Sequence, residues 1–251
     1  MPFFKTEAIV LRRRDYSNSS QIITFYTRDY GKIHTLAKGF KRHVSRKCSS
    51  KAVDLLAYYQ ILFIKREHTY LHTLTEAILQ SNYPLLRNNL DKYYKASYIA
   101  ELVNEFTQEN DPSEQLFDVF LNTLTGISID EDATIRTLVF EIKLLKILGY
   151  LPEWRRCVNC KNSIQHLSEV LFSAKEGGVL CRGCQSRFKN GLIVSTGAML
   201  IADRLADLQK LERVRIQLPI CVEIEKALRY YITSILNKEL ISWKYLNTVA
   251  Q

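Results

Sequence analysis

Apolar positions along the chain fall into two regimes. Up to about residue 80 they come in short runs rich in Ile, Val, Tyr, Phe and Thr, at 6–12, 21–28, 32–37, 58–65 and 70–77. Such runs predict strands, because branched and aromatic side chains suit a pleated, half-buried surface. Turn-forming residues separate them at 15–20 and 29–31, in a long polar stretch at 39–51, and at Glu67-His68. Five short strands with one long central loop predict a small closed barrel of the OB type, since closure removes exposed sheet edges. An SH3-like barrel is the nearest competitor.

Beyond Pro84 the period becomes helical. Ile99, Leu102, Val103 and Phe106 share one face at 0, 3, 4, 7 spacing, and Phe117, Phe120, Leu121 and Leu124 repeat it. The longest stripe runs over 133–148 through Ile135, Leu138, Val139, Ile142 and Leu145. Asp130 or Asp132 is placed to cap its start, and Gly149 with Pro152 to end it. Two further helices carry Ile201, Leu205 and Leu208, then, from Pro219, Ile224, Leu228, Tyr231 and Ile235. These stripes read most simply as core. Between them lies a cysteine- and glycine-bearing insert at 154–191. The expected fold is α+β: an OB-fold barrel at 1–80, then an all-α domain at 81–251 interrupted by that insert.

Charge sharpens the division. The formal net charge is +9, with 14 Lys and Arg against 6 Asp and Glu in residues 1–80 and near balance afterwards. Segregated positive charge suggests a polyanion-binding module joined to a nearly neutral one. The basic residues cluster as Arg12-Arg13-Arg14, as Arg28 with Lys32, and as Lys38, Lys41, Arg42, Arg46, Lys47 and Lys51. Lysine and arginine neutralise phosphates without reading sequence, and interleaved Phe25, Tyr26, Tyr30 and Phe40 offer rings for base stacking. A solvated loop and barrel-filling aromatics are the plainer account of the same residues.

Cys157, Cys160, Cys181 and Cys184 form two C-x-x-C pairs. Two residues between cysteines let a tight knuckle aim both sulfurs at one point, and two knuckles supply the four thiolates of a tetrahedral zinc site. One structural zinc ion is the expected cofactor; an iron–sulfur cluster or redox dithiols are the alternatives. Four protein ligands leave no position for water or substrate, so the metal is expected to fasten the insert. His166 is superfluous as a ligand, and Cys48 and Cys221 lack partner spacing. Without a secretory leader pattern, or an apolar run long enough to span a bilayer, the expected setting is cytoplasmic, with no membrane partner. No phosphate-binding loop, dinucleotide fingerprint or zinc-protease motif is present, and the acidic run 130–132 favours a helix start over a metal site. Nothing points to an enzyme.

In combination, TEAIVLRRRDY, TFYTRDYGKIHTLAKGFKR with Ser45-Arg46, FEIKLLKILGYLPEWRRCVNC and GGVLCRGC resemble the bacterial RecO family of recombination mediators, over nearly the whole chain. The resemblance implies an OB-fold followed by a helical domain with a zinc insert, and no catalysis. It also implies binding of single- and double-stranded DNA, strand annealing, contact with the C-terminal tail of single-strand-binding protein, and cooperation with RecR in loading RecA. Arg12, Arg14, Lys38, Lys41, Arg42 and Arg46 match the family's basic positions, and the four cysteines its zinc set. The chain departs at Ser17-Asn18-Ser19, where the family usually has a Gly-Glu pair. An RNA-binding or ribosome-associated zinc protein with an OB-fold is the alternative function, and a zinc-dependent hydrolase a third.

Overall fold

The computed structural model describes residues 2–38, 53–66, 69–130, 133–188, 190–208 and 214–246. Its N-terminal strands are β1 (Phe3–Asp15), β2 (Ser20–Thr27), β3 (Gly31–Lys38), β4 (Tyr58–Ile64) and β5 (Leu71–Ser81). They form a closed barrel in the order β1-β2-β3-β5-β4, with β3 and β5 parallel and the other pairs antiparallel. Closure depends on β1 serving two partners. Its first half, Phe3 to Ile9, pairs with β4, and its second half pairs with β2 across an irregularity between Val10 and Arg12. An extra residue there bends and twists the strand, which lets one long strand turn the corner of a barrel. Ala8, Val10, Ile23, Phe25, Ile61 and Phe63 fill the interior. This is the five-strand, OB-like barrel expected from the pattern.

Helices follow: α1 (Pro84–Arg87), α2 (Leu90–Phe106), α3 (Glu114–Ile129), α4 (Thr134–Ile147), then α5 (Arg182–Gln185), α6 (Thr196–Ala206), α7 (Leu218–Leu236) and α8 (Trp243–Leu246). Small polar residues start several of them. The Asn89 and Ser113 side chains accept from the backbone N–H of Lys92 and Leu116, satisfying donors that have no partner inside the helix. At the end of α4, Gly149 takes φ +79 while Tyr150 N–H donates to Leu145 O and Gly149 N–H to Lys146 O, a Schellman closure. The start of α4 differs from expectation. Ala133 occupies the cap position without a side-chain bond, and Asp130 instead closes α3, its N–H donating to Gly126 O. Asp132 lies outside the described residues. Helix α6 stops at Ala206, short of Leu208, where Asp207 leaves the helix to pair with Lys146 at 2.5 Å.

Packing divides the chain into two compact units, one holding the described residues up to Asp130 plus those from Ser242 on, the other the intervening stretch to Ile241. In the first, α1 to α3 pack with the barrel, and Ser242 and Trp243 return to Glu101 and Tyr98 of α2. The change of hydrophobic period near residue 80 and the division between compact units are therefore different boundaries. In the second unit, α4, α6 and α7 pack together; the insert contributes β6 (Glu169–Ser173) and β7 (Gly178–Leu180), which form an antiparallel sheet with β8 (Leu192–Ser195), just past the insert, in the order β7-β6-β8. Strands of three to five residues had left no legible pattern in the sequence.

The barrel meets its helices at the β2–β3 turn. Gly31 has φ +64, and a Cβ there would lie 2.4 Å from the carbonyl oxygen of Asp111. Asn110 N–H donates to Lys32 O, extending the edge of β3 beyond its pairing with β5. We expect Gly31→Ala to cost about 2–4 kcal/mol, from the left-handed backbone and from separating the turn from the α2–α3 connection. Gly197→Ala, with open space around an exposed helical position, serves as control and should be neutral or stabilising by up to about 1 kcal/mol. Thermal and denaturant unfolding of both variants checks this; equal effects would be inconsistent with the contact.

Candidate metal centre and nucleic-acid interface

Both knuckles are set by backbone hydrogen bonds. In the first, Cys157 N–H donates to Asn162 O at 2.9 Å and Lys161 N–H to Cys157 O at 2.8 Å, with Lys161 at φ +62. In the second, the N–H groups of Cys184 and Gln185 both donate to Cys181 O, forming the single turn of α5. Val158 N–H to Val179 O joins the first knuckle to β7, beside Gly178, where a Cβ would lie 2.6 Å from Glu153 O and 2.7 Å from Val158 Cγ1. The four sulfurs lie within 4.8 Å of one another. Cys160 and Cys181 Sγ are 3.7 Å apart. Four thiolates around a tetrahedral ion with metal–sulfur bonds of about 2.3 Å require sulfurs about 3.8 Å apart, so the donor set fits one metal ion.

Electrostatics point the same way. Burial is the largest influence on both Cys157 and Cys181. It pushes the Cys181 thiol up to about 12, and hydrogen bonds donated by its S–H to the Cys184 and Cys160 sulfurs add to it. At Cys157 backbone N–H groups of Cys160, Cys181 and Asn159 outweigh burial and bring the thiol down to about 6. Sulfurs this close compete for protons, and a bound divalent cation lets all four be thiolates at once. Asn159 Nδ2 donates to Cys184 Sγ at 3.2 Å, orienting that sulfur. A closed four-sulfur set leaves no coordination position for substrate. Cys221 is buried at the start of α7, its thiol directed to Ile216 O at 3.9 Å. Cys48 lies outside the described residues.

The basic residues divide by employment. Arg12 pairs with Thr24 and Arg14 with Ile22, Ile22 pairs with Leu36, and Ser20 with Lys38. Directly opposed residues share a face, so Arg12, Arg14 and Lys38 stand on one outer face of β1-β2-β3. All three are exposed, with no side-chain hydrogen bond or ion pair among the described residues. Arg13 instead donates to Val53 O at 2.9 Å and lies 3.7 Å from Asp54. Lys41, Arg42, Arg46 and Lys47 lie outside the described residues.

Arg28 and Lys32, expected beside phosphate, are occupied within the first unit. Arg28 contacts Glu7 at 2.5 Å, Glu114 at 3.2 Å and Asp118 at 2.8 Å, and lies 4.6 Å from the Phe117 ring centroid. The Asp118 hydrogen bond, and after it the Glu7 pairing, raises the Arg28 pKa above its ordinary value against the opposing effect of burial. Lys32 Nζ donates at 2.6 Å to Asn104 O and to Thr107 O, capping the end of α2, while burial pulls its pKa down.

The expected stacking rings are not at the surface. Phe25 and Tyr26 are buried, Tyr26 against Phe117, and Tyr30 packs against Phe4 and Phe63. Phe40 lies outside the described residues. Two rings that the sequence reading passed over are open: Tyr16, 63% exposed in the β1–β2 turn, and Tyr70, 73% exposed just before β5. Arg66, also exposed, donates through Nε to Thr73, which pairs with Leu36. Their position in loops beside a basic strand was the available signal.

Among the described residues, no helix is long and apolar enough to cross a membrane. Family models described as Recombination protein O N terminal and Recombination protein O C terminal match residues 1–83 and 87–244. The chain is 31% identical to DNA repair protein RecO of Pelotomaculum thermopropionicum over 253 residues, covering 100% of this chain and 96% of that one. It is 32% identical to the protein of the same name from Syntrophus aciditrophicus over 251 residues, covering 98% and 95%. With Desulfitobacterium hafniense DNA repair protein RecO it shares 31% identity over 252 residues, covering 98% and 90%. Matched along both halves by these family models, the chain belongs to the RecO family.

Proposed function

We propose that this protein acts in DNA repair as a non-catalytic mediator that holds DNA on the open face of its barrel and brings complementary strands together. One observation carries the reading. Arg12, Arg14 and Lys38 are exposed and unpaired among the described residues, on the strand face that OB-folds use for oligonucleotides, between loops that present Tyr16 and Tyr70. The cations neutralise backbone phosphates without reading sequence, which suits a protein that must accept any strand, single or double. The two rings favour unpaired bases, which alone have free faces to stack. Lys41, Arg42, Arg46 and Lys47, following Lys38 in the chain, extend the same basic segment.

On this reading the barrel segment 1–80 carries the DNA contact, and the segment 81–251 engages proteins: RecR, and the C-terminal tail of single-strand-binding protein, so that RecA gains access to coated strands. The protein works in the cytoplasm, at the nucleoid. The metal is one zinc ion, held by Cys157, Cys160, Cys181 and Cys184, which closes the insert at 154–191. Zinc fits because it takes four thiolates tetrahedrally and brings no redox chemistry to a structural position.

Three expected outcomes test this. R12Q/R14Q/K38Q should flatten the dependence of log K on log salt for single strands by about 0.7 per lost contact, so by about 2 in all. R28Q should lower thermal stability by about 1–3 kcal/mol and leave that slope alone; an unchanged slope in the triple variant sinks the barrel face. Y16A/Y70A should weaken single-strand binding by about 1–3 kcal/mol per stacked base and spare duplex. Loss confined to structured RNA would favour an RNA-binding protein instead. Finally, metal analysis should find one zinc per chain, and C181S/C184S should lose it and unfold at lower temperature; retention of the ion would refute the four-sulfur site.

A further inference from the structure

The knuckles carry cations beside their cysteines. Arg156 precedes Cys157, Lys161 follows Cys160, Arg182 follows Cys181, and Arg187 lies just beyond Cys184, its N–H bonded to Cys184 O. The sulfurs lie within 4.8 Å of one another, so these four residues are held around one point. All four are exposed, and none makes a side-chain hydrogen bond or ion pair among the described residues. Neighbouring Arg155 shows the contrast: it pairs with Asp203 at 2.5 Å.

A simpler use for these cations is to offset the charge of the metal site, and the count decides against that as their whole role. Residues 154–191 hold seven Lys and Arg against two acids, Glu169 and Glu176. A divalent ion with four thiolates carries a net charge of about −2, so a surplus of about two positive charges remains once Arg155 is set against Asp203. The surface is also unsuited to a peptide. Among the described residues, no large apolar side chain is exposed between Tyr150 and Ile193, whereas protein partners anchor on buried aromatic and aliphatic groups. Exposed Asn162 adds a neutral hydrogen-bonding group, and exposed His166 an imidazole. Cations and neutral donors without apolar anchors match a phosphate backbone.

We propose that the basic rim of the two knuckles, Arg156, Lys161, Arg182 and Arg187, is a second nucleic-acid contact that holds a second strand while the barrel face holds the first. This rests on the barrel reading above and deepens it. Annealing needs two mutually repelling strands on one protein, and two basic patches on one chain raise the local concentration of the second strand. The metal contributes by fixing the backbone that carries the cations.

The test counts short oligothymidylates bound per chain by native mass spectrometry of the full-length protein. Wild type should hold two, K161Q/R182Q/R187Q one, R12Q/R14Q/K38Q one, and the combined variant none. Annealing by the knuckle variant should slow by about tenfold or more, with zinc content and thermal stability unchanged. Two oligonucleotides on the knuckle variant, or one on the wild type, overturns the proposal. Retention of both together with loss of polyglutamate binding would make the rim a docking face for an acidic protein, which also overturns it. No oligonucleotide on the wild-type chain is a separate failure, that of the barrel reading itself. Should the triple variant lose its zinc, K161Q and R182Q singly should each lower the salt slope for the second oligonucleotide by about 0.7; unchanged slopes count against the rim.

Discussion

The backbone of Asp111 approaches Gly31 so closely that no side chain fits between them, and the surface of the barrel is apportioned by that contact. With the β2–β3 turn seated there, Tyr26 reaches Phe117, Arg28 reaches Glu114 and Asp118, and Lys32 reaches the last carbonyls of α2. One end of the outer β1-β2-β3 face is thereby packed against helices. Among the described residues, nothing packs on the other end, where Arg12, Arg14 and Lys38 are exposed beside Ile22 and Leu36. Arg28 can be withdrawn from water at modest cost because three carboxylates and an aromatic face replace its hydration. Moving it to a phosphate would take the cation from Glu7 and leave only the Tyr58 hydroxyl donating to that carboxylate. Its fixed role follows from its neighbours.

The division was partly legible. Alternation in β3 and β4 survives because their inner residues, among them Ile33, Ile61 and Phe63, must fill a closed barrel, which imposes a period of two. In β1 the period fails: Ala8, Ile9, Val10 and Leu11 are all buried. A continuous apolar run in a strand means that both faces are covered. That run, with adjacent Phe25 and Tyr26, was the signal that something packs on the outside of the barrel. What packs there was not legible, because the helix stripes of α2 and α3 look alike whether they face other helices or a sheet.

Charge was the least transferable part of the sequence reading. A basic excess over 80 residues is a property of composition, and composition is blind to ion pairing inside the fold. Arg13 serves the segment before β4, Arg28 and Lys32 serve the helices, and Arg12, Arg14 and Lys38 remain for solvent. The aromatics follow the same logic. A ring in the middle of a strand is drawn into a core by its large apolar area, as Phe25 and Tyr26 are, whereas Tyr16 and Tyr70 escape because turns cannot bury them.

The metal site was the most legible feature, for a reason opposite to the one that hid the charges. Sulfur–metal geometry admits little drift, so the spacing of the cysteines is written directly into the chain. The local packing accords with a bound ion. The small cluster at the knuckles consists of Cys157, Leu171, Leu180 and Cys184 with Val158, Cys181 and Phe188 against it, so three of its seven members are ligands. Deprived of the ion, those sulfurs compete for protons within 4.8 Å, and the leucines alone bury too little to hold β7 and α5 together. The same constraint that makes the insert foldable also fixes the backbone bearing Lys161 and Arg182. Cations anchored in this way lose less freedom when they meet an anion than cations on an unconstrained loop, so a knuckle is a better place for a phosphate contact than its small size suggests.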